Sequence, residues 1–502
     1  MEDWLDPVLD AAQMRAIDAW AIEEEGIASI DLMEAAGRSL AEAAESAIGE
    51  GPARVVCGKG NNGGDGLVAA RWLSEMGHEV EALMLAASDE LSPDARINFE
   101  RFPIAKTMAG SGLTEALAGS GVVVDAIFGT GFEGEPRDPA KTAIEAINAC
   151  GAPVVAADIA SGVDASTGEV QGAAVEADVT VTFHAAKIGQ WIEPGKSLTG
   201  ELQVAPIGIP YDAPVEVHAG LIDPAVLELA PPRRRNSNKF DSGRVVVVGG
   251  SRGLTGSVAL VASAAIRSGA GYATVAVPTE IQHVYEIKLT EVMSIGLPGR
   301  EGHLRPAAGE RVLEVCDGAD SVVLGPGLSK NLGAANFAQE AAVRISSPLV
   351  LDADGLNAYA GSISALAGRE APTVLTPHAG EMGRLLGTES KVVEARRLAC
   401  AQAAAKQARA VVLLKGDDTI VTDNKRVAIN RISSPSLATA GTGDVLSGVI
   451  GGLIARGMEP FEAACAAVVA HSRAGLDAAA RLGPESVIAG DVIESLPAGL
   501  RP

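Results

Sequence analysis

Arg54-Val55-Val56-Cys57-Gly58-Lys59-Gly60-Asn61-Asn62-Gly63-Gly64-Asp65-Gly66 decides the fold class of the first half of the chain. A short apolar run, a glycine-rich turn and a helical stretch from about Gly66 to Met76 make a strand–turn–helix unit. The same rhythm returns at Val122-Val123-Val124-Asp125-Ala126-Ile127 and at Pro153-Val154-Val155-Ala156-Ala157-Asp158. Strands apolar on both faces and separated by helices belong in a parallel sheet covered on both sides. Each run ends in a polar turn, which is where open α/β sheets bind ligands. Ahead of the first strand, Met14–Glu24 and Asp31–Ile48 read as two amphipathic helices.

Between about Ala205 and Pro232 the pattern fails, broken by Pro206, Pro210, Pro214, Pro224, Pro231 and Pro232. Arg233-Arg234-Arg235 follows and reads as a solvated linker. We expect one domain over residues 1–215 and a second over 216–502. The α/β rhythm restarts at Arg244-Val245-Val246-Val247-Val248-Gly249-Gly250. Further strands are expected at Ala273–Val277, Ser321–Leu324, Leu349–Asp352, Thr373–Thr376 and Val411–Leu414, and a long apolar helix near Gly443. The halves share no motif, so the chain reads as a fusion and not a duplication.

Composition sets the class. A chain of 502 residues is too long for one core, and 47% hydrophobic with 21% charged residues is globular in character. A net charge of −24 repels nucleic acid and anionic membranes, so neither is an expected partner. Cys57, Cys150, Cys316, Cys400 and Cys465 are far apart and read as small buried hydrophobes in a reducing compartment. The acidic start and the lack of a long apolar run predict neither a signal peptide nor a membrane span. A cytoplasmic homo-oligomer is expected.

In the second half the strongest feature is Ala438-Thr439-Ala440-Gly441-Thr442-Gly443-Asp444-Val445-Leu446-Ser447-Gly448. Small residues let the backbone close round an anion, and a helix starting there turns its first NH groups toward it. Asp444 is poorly placed to bind phosphate but well placed as a base toward a neighbouring hydroxyl. The same carboxylate would also complement the helix dipole, and these residues alone leave both roles open.

Here the sequence resembles the ribokinase-like superfamily, with its Gly-x-Gly-Asp anion hole. Gly325-Pro326-Gly327-Leu328, Asp352-Ala353-Asp354-Gly355-Leu356-Asn357, Thr376-Pro377-His378-Ala379-Gly380-Glu381 and Lys415-Gly416-Asp417-Asp418-Thr419 follow in the order seen in the NAD(P)H-hydrate dehydratase family, from about Arg235 onward. The resemblance implies a ribokinase-like α/β domain. In it Lys415, Gly416, Asp417, Asp418, Thr419 and Gly443 hold ADP or ATP, accompanied by Mg2+. It implies that Ser257, Gly327, His378 and Asp444 face the hydrated nicotinamide, with Asp444 catalytic. His378 has a second reading, as a turn residue bonded to backbone. The family usually has Ala at Ser257, Pro at Ala379, Gly at Ser329 and His at Asn238, departures that bear on pocket shape and not on charged groups.

In the first half, glycines around Asn61 and Asn62 suit a backbone nest for a diphosphate, although neither a phosphate loop nor the dinucleotide fingerprint is present in its usual frame. With Leu32-Met33-Glu34-Ala35-Ala36-Gly37, Val124-Asp125-Ala126-Ile127-Phe128-Gly129-Thr130-Gly131 and Ala157-Asp158-Ile159-Ala160-Ser161-Gly162-Val163-Asp164, this stretch resembles the NAD(P)H-hydrate epimerase family over about Ala11 to Gly208. The family more often has Pro at Ala160. The resemblance implies a Rossmann-like three-layer domain. Its implied substrate contacts are Asn61, Asn62, Gly63, Gly64 and Asp65, the loop Gly129, Thr130, Gly131, Phe132, Glu133, Gly134 and Glu135, and Asp158. It also implies K+ held by Asn62, Asp125 and Ser161, and oxygen ligands suit such a hard, weakly held cation. C6 of the hydrate is a hemiaminal carbon, inverted by reversible loss of water or ring opening, and Asp158 is the expected acid/base. Capping of its own turn is the other reading of Asp158.

The two resemblances form a coherent pair. One domain would interconvert the R and S forms of hydrated NADH and NADPH, and the other would dehydrate the S form at the expense of ADP or ATP. A ribokinase-like kinase of a small alcohol, or a non-catalytic nucleotide-binding scaffold, are the alternatives. Pure binding has no need of both Asp444 and Asp158.

Overall fold

The computed structural model describes residues 2–107 and 112–501, which divide into two compact units. One is Pro7–Gly220; the other comprises Glu2–Asp6 and the chain from Leu221 onward.

In the first unit, Ala11–Glu23 (α1) and Ser29–Ala47 (α2) precede seven strands: Ala53–Cys57 (β1), Val80–Met84 (β2), Lys106–Thr107 (β3), Val122–Ala126 (β4), Val154–Ala157 (β5), Val179–Phe183 (β6) and Glu201–Ala205 (β7). They are all parallel and stand in the order β3-β2-β1-β4-β5-β6-β7. Every side chain of β4 and β5 is buried, the pattern of a sheet covered on both faces. The chain winds outward from β1, then returns to its other side at β4. Loops leaving β1 and β4 therefore diverge, and an open parallel sheet offers its crevice at such a switch point.

The helix after β1, Asn61–Glu75 (α3), starts five residues earlier than the sequence suggests. Gly60 ends the turn, and Asn61 to Gly66 form the first helical turns. A Cβ on Gly63 would lie 2.0 Å from Gly58 O, and one on Gly64 would lie 2.6 Å from Met33 Sδ. These glycines admit close packing inside the unit.

In the second unit the strands are Arg244–Val248 (β8), Tyr272–Pro278 (β9), Met293–Leu297 (β10), Ser321–Leu324 (β11), Leu349–Leu351 (β12), Thr373–Leu375 (β13), Val411–Leu414 (β14), Ile420–Thr422 (β15) and Val427–Ile429 (β16). Their order is β10-β9-β8-β11-β12-β13-β14-β15-β16, parallel as far as β14 and antiparallel beyond it. The switch point falls between β8 and β11. Beyond β16 the sheet continues through Ala219–Ile222 to Leu5–Val8. That pairing explains why Glu2–Asp6 group with the second unit, whereas the sequence division at 215/216 assigns them to the first. Among the described residues no helix is long and apolar enough to cross a membrane.

Four helices carry the second site: Thr255–Arg267 (α4), Ala379–Leu386 (α5), Thr442–Ala455 (α6) and Pro460–Leu482 (α7). α6 lies unusually close to α4. A Cβ on Gly448 would stand 2.3 Å from Val261 O, and one on Gly452 would stand 2.0 Å from Ser268 Oγ. Gly448→Ala should therefore cost about 1–3 kcal/mol through overpacking, despite alanine's better helix propensity. Gly490→Ala, in open space on another helix, should be neutral or gain up to ~1 kcal/mol. Urea denaturation of both variants checks the pair, and equal effects would contradict it.

Candidate active sites

A cleft of about 690 Å³ lies in the first unit, at the switch point. Asn61, Asn62 and Asp65 line it from α3, Gly129, Thr130, Gly131, Phe132 and Glu133 from the loop after β4, and Asp158 from the turn after β5. Of the expected contacts, Gly63, Gly64, Gly134 and Glu135 are outside the lining. The first two are packed inside the unit, and Glu135 lies against Gly172.

Asp158 adopts a left-handed φ of 65° and is buried. Its Oδ2 accepts from the Thr130 amide at 3.1 Å and from the Thr130 hydroxyl, and its Oδ1 accepts from Lys187 Nζ at 2.5 Å. Lys187 is wholly buried and also donates to Thr182 Oγ1 and to Phe183 O, at 2.7 and 3.0 Å. Burial opposes ionisation of Asp158, but the Lys187 ammonium and these hydrogen bonds outweigh it and hold the carboxyl below its usual range. An acid/base must change charge near neutral pH. The pairing favours the charged form of Asp158 at the edge of the cleft.

Two further carboxyls face the cleft. Asp18, on α1, is pushed up to about 6 by burial and by the Asp158 charge, with Lys187 opposing. Asp65 is raised well above the usual carboxylate value, first by burial and then by Asp158 and Asp18.

The expected K+ ligands can be tested on their hydrogen bonds. Asp125 is fully buried and accepts from Ser161 N at 2.8 Å, Ser161 Oγ at 2.7 Å and Ile127 N at 3.2 Å. Burial raises its carboxyl to about 6, an incentive to gain a positive neighbour. Ser161 Oγ in turn accepts from Phe128 N at 2.9 Å. Asn62 has both amide atoms buried without a hydrogen-bond partner, and a Cβ on the next loop residue, Gly129, would lie 3.2 Å from its Oδ1. An orphaned carboxamide oxygen with a buried carboxylate and hydroxyl fits a hard monovalent cation. Among the described residues no cluster of three His, Cys, Asp or Glu forms a candidate metal centre.

In the second unit a cleft of about 330 Å³ is lined by Lys415, Gly416, Asp417, Thr419 and Gly443, with Ile432, Leu437, Leu446 and Val468 as apolar walls. Asp418 is not part of it. It is buried in a two-point ion pair with Arg397, Nε to Oδ2 at 2.8 Å and Nη2 to Oδ1 at 2.7 Å. That pair braces the loop beneath the cleft.

Gly441, at φ 93°, swings the chain into α6 and brings Asp444 into the first turn. Burial and the Asp352 charge raise the Asp444 carboxyl to about 6, while a hydrogen bond from Ser257 pulls it down. Lys415 Nζ bonds Asp352 Oδ1 at 3.1 Å and lies 3.9 Å from Glu381 Oε2. Burial opposes its charge, but these carboxylates win and keep it an ammonium. Asp352 also accepts from Ser447 Oγ at 2.6 Å. A Cβ on Gly443 would meet Lys415 Nζ at 3.4 Å, so the lysine stands at the mouth of the α6 N-terminus.

His378 Nδ1 accepts from Gly380 N at 3.0 Å and Glu381 N at 3.4 Å, capping α5 as the turn reading requires. Its proton then sits on Nε2, on a ring whose side chain is 55% exposed. Gly327, at φ 65°, leaves 2.5 Å between a would-be Cβ and Leu254 O. Gly327, His378, Ser257 and Asp444 are outside the lining of the 330 Å³ cleft.

Four residues of these sites escape the sequence reading: Asp18, Lys187, Asp352 and Glu381. The last two stand inside motifs that were recognised, at the ends of β12 and in α5. Asp18 and Lys187 carry no spacing signal. The one hint is a lysine set in the apolar stretch Phe183-His184-Ala185-Ala186-Lys187-Ile188.

Comparison with known proteins follows the same division. Residues 245–498 match the family model described as NAD(P)H-hydrate dehydratase, and residues 29–189 match that of the YjeF-related protein N-terminus. A bifunctional NAD(P)H-hydrate repair enzyme of Moorella thermoacetica is 41% identical, over 98% of this chain and 96% of its own. That of Salinibacter ruber is 40% identical, over 98% and 95%. A crystal structure of ADP/ATP-dependent NAD(P)H-hydrate dehydratase from Bacillus subtilis, co-crystallised with ATP/Mg2+, covers 55% of this chain and 94% of its own, with 25% identity and a TM-score of 0.46. Identity of this level along nearly the whole length, with both domain models matched in order, shows that the chain belongs to the family of bifunctional NAD(P)H-hydrate repair enzymes.

Proposed function

We propose that the chain restores hydrated NADH and NADPH, the first unit interconverting the R and S forms and the second dehydrating the S form with ADP or ATP. The observation that carries the dehydratase reading is Asp444 in the first turn of α6, in the company of Lys415 and Ser257.

Hydroxide is a poor leaving group, so the C6 hydroxyl is first phosphorylated. Asp444 takes the hydroxyl proton, and the oxygen forms its bond to phosphorus as the nucleotide leaves. The free NH groups of α6 and the Lys415 ammonium stabilise the charge on the phosphoryl oxygens. Loss of phosphate from C6 and of the proton from C5 restores the ring double bond. Lys415, Gly416, Asp417, Thr419 and Gly443 hold the nucleotide, Mg2+ accompanies its phosphates, and Ser257, Gly327 and His378 face the nicotinamide. A kinase of a small alcohol would share the base and the nucleotide cleft but leave a stable phosphoester instead of free phosphate.

In the first unit, Asn61, Asn62, Asp65, Asp158 and the loop Gly129 to Glu133 hold the hydrate. Asn62, Asp125 and Ser161 would hold K+, which supplies a positive charge that fixes the loop after β4. Asp158 sets a fixed negative charge beside the substrate.

Asp444→Asn should lower dehydration roughly 10²–10⁴-fold and leave epimerisation unchanged. Recovery of dihydropyridine absorbance from a mixture of both epimers measures it, and loss of both activities would contradict separate sites. Because the base must be ionised, kcat/KM for dehydration should rise as pH increases through about 6. Ser257→Ala, which removes the hydrogen bond to the ionised form, should move that inflection upward. For the cation, exchanging K+ for Li+ at constant ionic strength should lower the melting temperature of the first unit. Asn62→Ala should abolish the difference between the two salts, read by differential scanning calorimetry.

A further inference from the structure

The epimerase cleft holds more acid than its substrate contacts require. Asp18 from α1, Asp65 from α3 and Asp158 after β5 line it together, and the buried ammonium of Lys187 is paired with Asp158. Arg15, on the same helix as Asp18, and Lys59, Asp94 and Glu133 complete the charged lining. With all three aspartates ionised, the cluster would keep two uncompensated negative charges in a largely buried space, and carboxylates so placed retain a proton. Asp158 cannot be its carrier, because Lys187, Thr130 and the Phe183 amide all donate to it. Asp65 also lines the cleft, but it lies within α3 and, at 9% exposed, is the less accessible of the two remaining carboxyls. Asp18 is only partly buried, lines the cleft, and its carboxyl makes no hydrogen bond among the described residues. It is the carboxyl able both to hold the proton and to hand it to a ligand.

We propose that Asp18 is the catalytic residue that exchanges a proton with the C6 hydroxyl oxygen, and that Asp158 is the counter-charge for the ring cation formed. The inference rests on the epimerase reading of this cleft. The Asp18 carboxyl gives its proton to the hydroxyl oxygen, the C6–O bond breaks, and water departs. The lone pair on the ring nitrogen becomes the N1–C6 double bond, leaving a cation that the Asp158 carboxylate faces. Water adds to C6 from the opposite side, the double bond returns its pair to nitrogen, and the added water releases its proton to the carboxylate cluster. The starting charge is restored and only the configuration has changed. A proton held near pH 6 by this cluster is consistent with the task, since an acid works best near its operating pH.

The test uses the full chain, one purified epimer of NADH hydrate and no nucleotide, with the spontaneous rate subtracted at each pH. For the wild type, kcat/KM for epimerisation should fall as pH rises through about 6. Asp18→Asn should lower kcat roughly 10²–10⁴-fold, change KM less than about threefold, and lose that inflection. Asp18→Glu should recover part of the rate with a displaced inflection. Nucleotide-dependent dehydration of the S epimer by the same preparations should be unchanged, which reports that the chain is folded. An Asp18→Asn enzyme within about threefold of wild type overturns the proposal. So does a slow variant that keeps the wild-type inflection, because that is a positional effect. A wild-type profile that is flat between about pH 5 and 8 overturns it without any variant. Failure of the wild type to interconvert the epimers would instead remove the epimerase reading itself, and the proposal with it.

Discussion

At both switch points two loops meet backbone to backbone, and everything at the sites depends on that approach. A Cβ on Gly58, after β1, would lie 2.0 Å from Ile127 O, after β4. In the second unit a Cβ on Gly325, after β11, would lie 2.0 Å from Asp352 O, and one on Gly249, after β8, would lie 2.2 Å from Pro326 O. No side chain fits in such gaps. The glycines are therefore a steric requirement for bringing Asn62 beside the Gly129 loop, and for setting Asp352 under Lys415. Remove the approach and the polar groups at the strand ends separate, although the strands themselves would still pair.

Electrostatics then divides the labour. The chain carries −24 overall, yet its proposed ligands are anions. Each unit holds one lysine on a carboxylate, the wholly buried Lys187 on Asp158 and the partly exposed Lys415 on Asp352. In each, other carboxyls are left with raised proton affinity by burial and by like charge: Asp18 and Asp65 in one, Asp444 in the other. The paired member of each cluster is structural and electrostatic. The member without the lysine is the one that can move a proton. In the second unit the attraction for an anion is built locally, from the Lys415 ammonium and the α6 N-terminus.

Much of this was legible in the sequence, for a physical reason. Val55, Val124, Val155 and Val246 announce buried parallel strands through their own character, and the strand–turn–helix junctions follow them directly. Short or polar edge strands such as Lys106–Thr107 and Glu201–Ala205 give no such signal, because half their surroundings are solvent. The packing role of Gly63 and Gly64 is invisible in the sequence, because only the assembled unit brings neighbours within 2.0 and 2.6 Å of a would-be Cβ. The ion pair that buries Asp418 is likewise invisible in the sequence, because Arg397 reaches it from another element. Lys187 and Asp18 meet across a separation that no local pattern encodes. Their partnership exists only once the sheet is assembled.

The strand Leu5–Val8 carries a last consequence. It closes a sheet edge with Ala219–Ile222, and Trp4 packs its ring 6.2 Å from that of Phe461. The second unit thus begins before the first and resumes after it, so the first unit is an insertion in the second rather than a bead before it. During synthesis residues 2–8 must wait for roughly two hundred that follow them, and then for Phe461, before they find their place, a closure whose entropy cost grows only slowly with that length. Expressing the second unit by cutting the gene at the apparent linker would discard its edge strand and bare the rim of its sheet. A cleaner dissection keeps residues 2–8 and bridges them to residue 219 with a short turn.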